Sequence, residues 1–377
     1  MLVGFIGWRG MVGSVLLDRM VEEGDFKNFS ARFFSSSNPG KELTKKLDFS
    51  GDKKLFDAFN LTQLSECDII LTCQGSDYTS KVFFNLRKNG WNGYWIDASK
   101  TLRMKDDSVI VLDPINKEVI DQAIDNGIKN YIGSNCTVSC MLMAIGALFK
   151  ADLIEWLSSS TYQAASGGGS KHMRELLYQM GKINHSVKNE LLDLQTSILE
   201  IDKKVLNEQK SLSKQEVSSF QVPLAGNLIP WIDKDLGNGT SLEEWKGHAE
   251  TNKIFGKDFL DRKQSVPIDY TCVRVGSMRC HSQSLIIKLK KNISIIEIEQ
   301  LISSGNDWVK VVPNTKEDSQ NNLTPISASG NLNIAIGRLR KLTFGSKYLG
   351  AFTIGDQLLW GAAEPLRRIL NYISKLH

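Results

Sequence analysis

Apolar and polar positions alternate in two rhythms along the 377-residue chain. From residue 2 to about 133, short runs rich in β-branched and aromatic residues (LVGFIG, ARFF, DIILT, YWID, VIVL and NYIG) are separated by stretches with helical spacing, such as 11–22 and 119–126. Strands alternating with helices predict a parallel sheet with helices on its faces. After a helix-like run over 137–150 the rhythm changes: 270–290 and 332–342 are longer β-rich stretches with partial alternation, which predicts an antiparallel sheet covered on one face. Between the two patterns, Leu191, Leu194, Ile198, Ile201 and Val205 recur at three- and four-residue gaps as one apolar helical stripe, and the polar stretch 207–219 reads as a surface loop. Leu358, Leu359, Ala362, Ala363, Leu366 and Ile369 predict a last helix, reaching Ser374, that packs back on the first domain. The predicted fold class is α/β. Residues 1–134, with helix 356–377 returned to them, form a parallel-sheet domain, and 135–355 form an α+β domain with a mainly antiparallel sheet.

Length and composition narrow the picture. A chain this long predicts two domains, and 41% hydrophobic with 23% charged residues is the ordinary balance of a globular protein. The net charge of +4 comes without a basic run interleaved with aromatics, so no nucleic-acid partner is expected. No apolar stretch approaches the roughly 18 to 20 residues of a spanning helix, so no membrane partner is expected either. Six cysteines are too sparse for a disulfide scaffold, and structure begins at residue 2 without a signal-like segment, so a cytoplasmic location is expected.

Five segments carry candidate chemistry. The first is Gly7, Arg9, Gly10, Met11, Val12 and Gly13, between the first strand and the first helix. Glycines there let backbone approach a pyrophosphate, which the helix N-terminus favours. A tight structural turn is the plain alternative. In the second, the strand ending at Phe34 is followed by Ser35, Ser36 and Ser37, where an NAD site would place a carboxylate. Hydroxyls, with Arg9 nearby, suit a 2′-phosphate, so the expected cofactor is NADP; a surface turn is the alternative.

The third segment places Asn135 and Cys136 where a β-run ends and an apolar helix begins. A helix N-terminus stabilises a thiolate and predicts a nucleophile with a lowered pKa, against the plain reading of a small buried hydrophobe. Cys136 and Cys140 lack the partners of a zinc site, so no metal is expected. In the fourth, Gln163 leads into Ser166, Gly167, Gly168, Gly169 and Ser170, a loop suited to close approach of a ligand or to a flexible link. In the fifth, His281 follows Arg274 and Arg279 and is the best-placed acid/base among five histidines. Arg274 and His281 are seven positions apart, so a bend near Gly276 is needed to put both in one site, and otherwise Arg279 takes the role of Arg274. Arg103, and the pair Glu243 and Lys246, are charged positions whose plain reading is a solvated surface.

Taken together, GFIGWRGMVG, SNCTVS, TYQAASGGG, CVRVG with RCHSQ, EEWKG with AETNK, and GDQLLWGAAEPLRR resemble aspartate-semialdehyde dehydrogenase of the Gram-negative bacterial type, over residues 2 to about 370. The resemblance implies a Rossmann-like NADP domain and a catalytic and dimerisation domain in a homodimer. It implies an enzyme interconverting aspartyl-4-phosphate and aspartate 4-semialdehyde, with release of phosphate, on the route to lysine, methionine and threonine. It makes Cys136 the nucleophile, His281 the acid/base, Gln163 the group that orients the acyl carbon, Arg274 and Glu243 the holders of the substrate carboxylate and amino groups, and Arg103 and Lys246 the phosphate ligands; the chemistry further asks for donors to a hemithioacetal oxyanion, expected from the Cys136 amide and Asn135. Arg9 to Val12, Ser36, Ser37, Gln74, Ser166 to Ser170 and Gln357 would line the NADP site. Family members carry a serine where this chain has Lys100, which puts a hydroxyl contact to phosphate there in doubt. Another phosphorylating semialdehyde or aldehyde dehydrogenase and a non-catalytic NADP-binding regulator are the competing expectations.

Overall fold

The computed structural model describes residues 1–45 and 47–376. Seven strands, β1 (Leu2–Ile6), β2 (Ser30–Ser35), β3 (Phe56–Asp57), β4 (Ile69–Thr72), β5 (Tyr94–Asp97), β6 (Ser108–Val111) and β7 (Asn130–Gly133), form one sheet in the order β3-β2-β1-β4-β5-β7-β6. All its pairings are parallel. One face packs Val3, Phe5 and Leu71 against Leu16, Leu17 and Met20 of the helix Met11–Glu22 and Leu366, Ile369 and Ile373 of the helix Glu364–Ser374. The other packs Ile6, Ile70 and Trp95 against Val82, Phe83 and Leu86 of the helix Ser76–Lys88. Strands buried on both faces lose the period-two alternation, which is why these runs read as continuous apolar stretches.

The second sheet contains β8 (Ile154–Gln163), β9 (Leu228–Ile229), β10 (Ile268–Val275), β11 (His281–Leu289), β12 (Val309–Val311), β13 (Ile334–Leu342) and β14 (Gly345–Gly355), in the order β12-β13-β14-β11-β8-β10-β9. It is mixed: β8 pairs with β10, and β12 with β13, in parallel, and the remaining pairings are antiparallel. The helix Cys136–Lys150 fills the space beside it. From Thr137 to Gly146 every residue of that helix is buried, among Leu157, Cys272, Leu285, Ile287, Ile336 and Leu349 of the sheet.

Three local expectations are corrected. The stripe from Leu191 to Val205 does not form one helix, because the Asp193 side chain accepts from the Gln195 amide and the Thr196 hydroxyl, and Ser197 caps a helix that starts only at Ile198. That helix runs to Ser211, past the expected loop start at Asn207, and none of its residues is buried in this chain. The stretch 270–290 forms two strands, β10 and β11, and the bend expected near Gly276 lies between them at residues 276–280, where Cys280 takes a left-handed backbone with φ +76°. The last apolar stripe begins as a π-helical turn, Leu359–Ala363, before the helix Glu364–Ser374. Among the described residues no helix is long and apolar enough to cross a membrane, and no cluster of three or more His, Cys, Asp or Glu could hold a metal ion.

Candidate active site

Strand β7 ends at Gly133, and two residues later the helix Cys136–Lys150 begins, so Cys136 sits at the C-terminal edge of the parallel sheet, where open α/β sheets bind ligands. Asn135 is the cap: its Oδ1 accepts from the Thr137 amide at 2.9 Å and the Val138 amide at 3.3 Å. Its Nδ2 donates to Glu243 Oε1 at 2.9 Å and its backbone N–H to Glu250 Oε2 at 2.6 Å. The turn that presents the cysteine is thus tied on three sides. Gly361 closes the fourth, since a Cβ there would stand 2.7 Å from Cys136 Cβ.

The second sheet brings the partners. Arg274 at the end of β10 is in register with Gln163 at the end of β8, and on the other side of β8 the pair Ser282 and Tyr162 places His281 at the same level. Arg274 and His281 therefore reach one site from two strands flanking β8, with the expected bend at residues 276–280 joining them. His281 Nε2 lies 3.2 Å from Cys136 Sγ. His281 Nδ1 accepts from the Ala164 amide at 3.1 Å. A backbone amide can only donate, so the neutral ring carries its proton on Nε2, facing the sulfur. Arg279, the competitor for Arg274's role, is ion-paired with the buried Asp356 at 2.6 Å.

A third element supplies charge. The helix Leu242–Ile254 starts with a capping box between Ser241 and Glu244, which leaves Glu243, Lys246 and Glu250, at i, i+3 and i+7, on one face. That face is buried, contrary to the plain surface reading of Glu243 and Lys246. Glu243 Oε1 accepts from Gln163 Nε2 at 3.2 Å as well as from Asn135, and Lys246 Nζ donates to Glu243 Oε2 at 2.8 Å and Asp233 Oδ2 at 2.7 Å. Arg103 donates to the Gly133 carbonyl at 2.6 Å and to Glu250 Oε1 at 3.1 Å. Glu250, Asp233 and the Ala164 amide were not singled out from sequence. Glu250 had a readable signal in its heptad spacing from Glu243, whereas Asp233 lies in a loop with no periodicity.

Arg103, Asn135, Cys136, Gln163, Asp233, Glu243, Lys246 and Arg274 open on one cavity of about 480 Å³ that also carries Met11, Val12, Ser166 to Gly169 and Gln357, with His281 buried behind Cys136. Gln357 Nε2 donates to Ser166 Oγ at 2.9 Å. Gly7, Arg9, Gly10, Ser36, Ser37 and Gln74 line a neighbouring cleft at the first strand-to-helix turn. There Arg9 donates to Ser35 Oγ at 2.9 Å and Ser37 Oγ at 2.7 Å, and Gln74 to Ser36 Oγ at 3.2 Å. Gly7 has φ +73°, and a Cβ on it would stand 2.5 Å from Gln74 N, so the close turn admits no side chain. Ser170 begins the helix Ser170–Ser186 that follows the triple-glycine loop.

Burial pushes the Cys136 thiol up to about 12, with the Glu243 charge adding to the rise and Arg274, Arg103 and Lys246 pulling against it. The lowered thiol expected from the helix N-terminus is outweighed by this packing. Burial also lowers the His281 pKa to about 3, helped by Arg274 and opposed by Glu243, so the imidazole is neutral at working pH. The Glu243 carboxyl, which burial alone would raise, is held low by Lys246, Asn135 and Gln163.

A stability consequence follows from His281. The unfolded ring, near 6.5, takes up a proton that the folded ring refuses until about 3, so folding stability falls as pH drops through that window. Unfolding free energies from urea titrations between pH 7 and pH 4 should fall more steeply for the native chain than for His281→Asn, by up to about 1.4 kcal/mol per pH unit. Parallel slopes would show that the ring is charged in the fold.

Comparison with known proteins places this geometry. Residues 2–123 match the family described as semialdehyde dehydrogenase, NAD binding domain, and residues 145–360 match semialdehyde dehydrogenase, dimerisation domain. The solved aspartate semialdehyde dehydrogenase from Francisella tularensis is 47% identical, with 99% of each chain covered and a TM-score of 0.91. Aspartate semialdehyde dehydrogenase II from Vibrio cholerae, solved in complex with ASA, shares the fold at 22% identity, covering 99% of this chain and 98% of its own, with a TM-score of 0.78. The Candida albicans enzyme, solved with NADP, shares it at 16% identity, covering 100% and 99%, with a TM-score of 0.64. With a nicotinamide-dinucleotide domain, a dimerisation domain and end-to-end similarity at this identity, the chain belongs to the aspartate-semialdehyde dehydrogenase family of oxidoreductases.

Proposed function

We propose that this chain interconverts aspartate 4-semialdehyde, phosphate and NADP with aspartyl-4-phosphate and NADPH through a thioester on Cys136, serving lysine, methionine and threonine synthesis. The observation that carries the reading is the contact of Cys136 Sγ with His281 Nε2 at 3.2 Å, in a cavity that also holds Arg103, Lys246, Arg274 and Glu243. In the oxidative direction the Cys136 sulfur adds to the aldehyde carbon, and its proton ends on the carbonyl oxygen to give a neutral hemithioacetal. His281 Nε2, which carries a proton, would move it by exchange, giving its own proton to the oxygen as it takes the thiol's so that the ring stays neutral, and the first-turn amide of Cys136 with Asn135 supplies donors to the oxygen as it gains charge. A nicotinamide held by Ser166 to Ser170 and Gln357 would supply the hydride acceptor for this carbon, and two-electron oxidation with the hydroxyl proton released to water leaves a thioester. A phosphate oxygen held by Arg103 and Lys246 then attacks, the carbon–sulfur bond breaks, and the thiolate returns. Arg274 and Glu243 fix the substrate carboxylate and amino group, and Gln163 orients the acyl carbon.

The dinucleotide residues fit their ligand. Gly7, Gly10, Met11 and Val12 would cradle the pyrophosphate, Ser166 to Ser170 and Gln357 the nicotinamide half, and Arg9 with Ser36, Ser37 and Gln74 the 2′-phosphate. Residues 1–134 with 356–377 would form the dinucleotide unit and 135–355 the catalytic and dimerisation unit. A homodimer is supported by the matched dimerisation domain and by aromatic and apolar side chains on the open sheet face, where Tyr162 and Phe352 rings lie 6.3 Å apart beside the exposed Ile286.

The direct test is absorbance at 340 nm with aspartate semialdehyde, NADP and phosphate; reduction that requires all three supports the reaction, and reduction indifferent to phosphate contradicts it. The cofactor arm is specific. Arg9→Gln removes a charged donor from the serine cluster, so kcat/KM for NADP should fall about 10- to 100-fold while that for NAD stays nearly level. Equal losses for both would mean that Arg9 does not read the 2′-phosphate.

A further inference from the structure

The cations on the phosphate side of the cavity are bound to an anion of the protein itself. Asp233 Oδ2 accepts from Lys246 Nζ at 2.7 Å and from Lys100 Nζ at 2.8 Å. Asp233 lines the same cavity as Cys136 and Arg103. A local turn aims it there: its backbone is left-handed with φ +71°, the Lys234 amide donates to its Oδ1 at 2.9 Å, and Trp231 Nε1 donates to its carbonyl at 3.1 Å. The other acids differ from it in anchorage. Glu243 and Glu250 stand on a helix and are tied to Asn135, whereas Asp233 stands in the loop before that helix, and its side chain keeps 20% of its exposure.

We infer that Asp233 is an internal competitor for inorganic phosphate: its carboxylate and the phosphate oxygens use the same two ammonium groups, and the turn at 231–234 yields as phosphate seats, with Lys100 passing to the phosphate. The inference rests on Lys246 being a phosphate ligand. A phosphate dianion and a carboxylate cannot share one pair of ammonium groups without strong repulsion at contact distance. Lys100 thereby gains a role in phosphate affinity, and the acid sets the concentration at which phosphate enters.

Asn tolerates the left-handed region, so Asp233→Asn removes the charge without straining the turn. Binding of inorganic phosphate is measured by titration calorimetry on the native chain, Asp233→Asn, Asp233→Glu and Lys100→Gln, with KM for phosphate and for aspartate semialdehyde alongside. Asp233→Asn should bind phosphate about tenfold tighter and lower its KM in step, with the aldehyde KM changing less than about twofold. Lys100→Gln should weaken phosphate severalfold, and Asp233→Glu should stay on the native side of Asp233→Asn. If Asp233→Asn binds phosphate no tighter, the carboxylate only positions Lys246 and the competition is overturned. That failure is separable from failure of the reaction itself, because a native chain that binds phosphate without oxidising the aldehyde loses the reaction and keeps the competition.

Discussion

Cys136→Ser should lose at least about 10³-fold in kcat for aldehyde oxidation while its affinity for NADP stays within about twofold of the native value. The size of the loss follows from chemistry: a serine hydroxyl is a far weaker nucleophile near neutral pH than a cysteine and a far poorer leaving group when phosphate attacks the ester. The survival of binding follows from geometry. The glycine turn at Gly7 to Gly13 and the Arg9 serine cluster belong to the first strand-to-helix connection, and Cys136 to the turn after β7. Serine is smaller than cysteine at a position already closed by Gly361, so it fits without disturbing the cap at Asn135. Kinetics at saturating substrate, with fluorescence titration of the dinucleotide, check both halves. A serine variant turning over within tenfold of the native rate would remove the sulfur from the mechanism.

His281→Asn should lower kcat about 10²- to 10⁴-fold, the usual contribution of a positioned proton-transfer group, with a much smaller change in the KM for aldehyde. Because the Ala164 amide fixes the proton on Nε2, the native ring is a donor toward the sulfur and toward any oxygen on the carbon it attacks. Asparagine is shorter and its amide does not give up a proton, so hydrogen bonding without proton transfer is the most it offers. A variant whose kcat is unchanged, with the loss confined to KM, would reduce His281 to a binding residue.

Much of this site was legible along the chain, and what was not legible shares one physical origin. The β-rich runs of the first domain form strands because each is short, apolar on both faces and bounded by turns, all local properties. The two-residue strand β3 has no such run, so nothing local in the sequence marks it. The stripe Leu191 to Val205 misled because apolar spacing reports periodicity but not where a cap begins the helix, and Ser197 begins it late. Cys136 and the glycine turn announce themselves by position at strand ends. Burial of Glu243 and Lys246 does not, since the same i, i+3 pair stands on countless solvated helices; it is decided by what lies across the cavity, namely Asn135, Gln163 and Asp233. The meeting of Arg274 with His281 depends on both β10 and β11 choosing β8 as neighbour, a pairing between segments more than a hundred residues apart. The raised Cys136 thiol has the same cause: a helix N-terminus is visible in sequence, and the packing that outweighs it is not.

The central claim is a covalent thioester on Cys136, and peptide mass mapping of quenched enzyme tests it most directly. The chain is mixed with aspartate semialdehyde and NADP without phosphate, stopped in acid, digested and mapped, and a second sample receives phosphate before the quench. The account predicts one aspartyl group added to the peptide containing Cys136, with one equivalent of NADPH formed, and its disappearance when phosphate is added. An adduct on Cys140 or Cys280, or full phosphate-dependent turnover with Cys136 never modified, would contradict it.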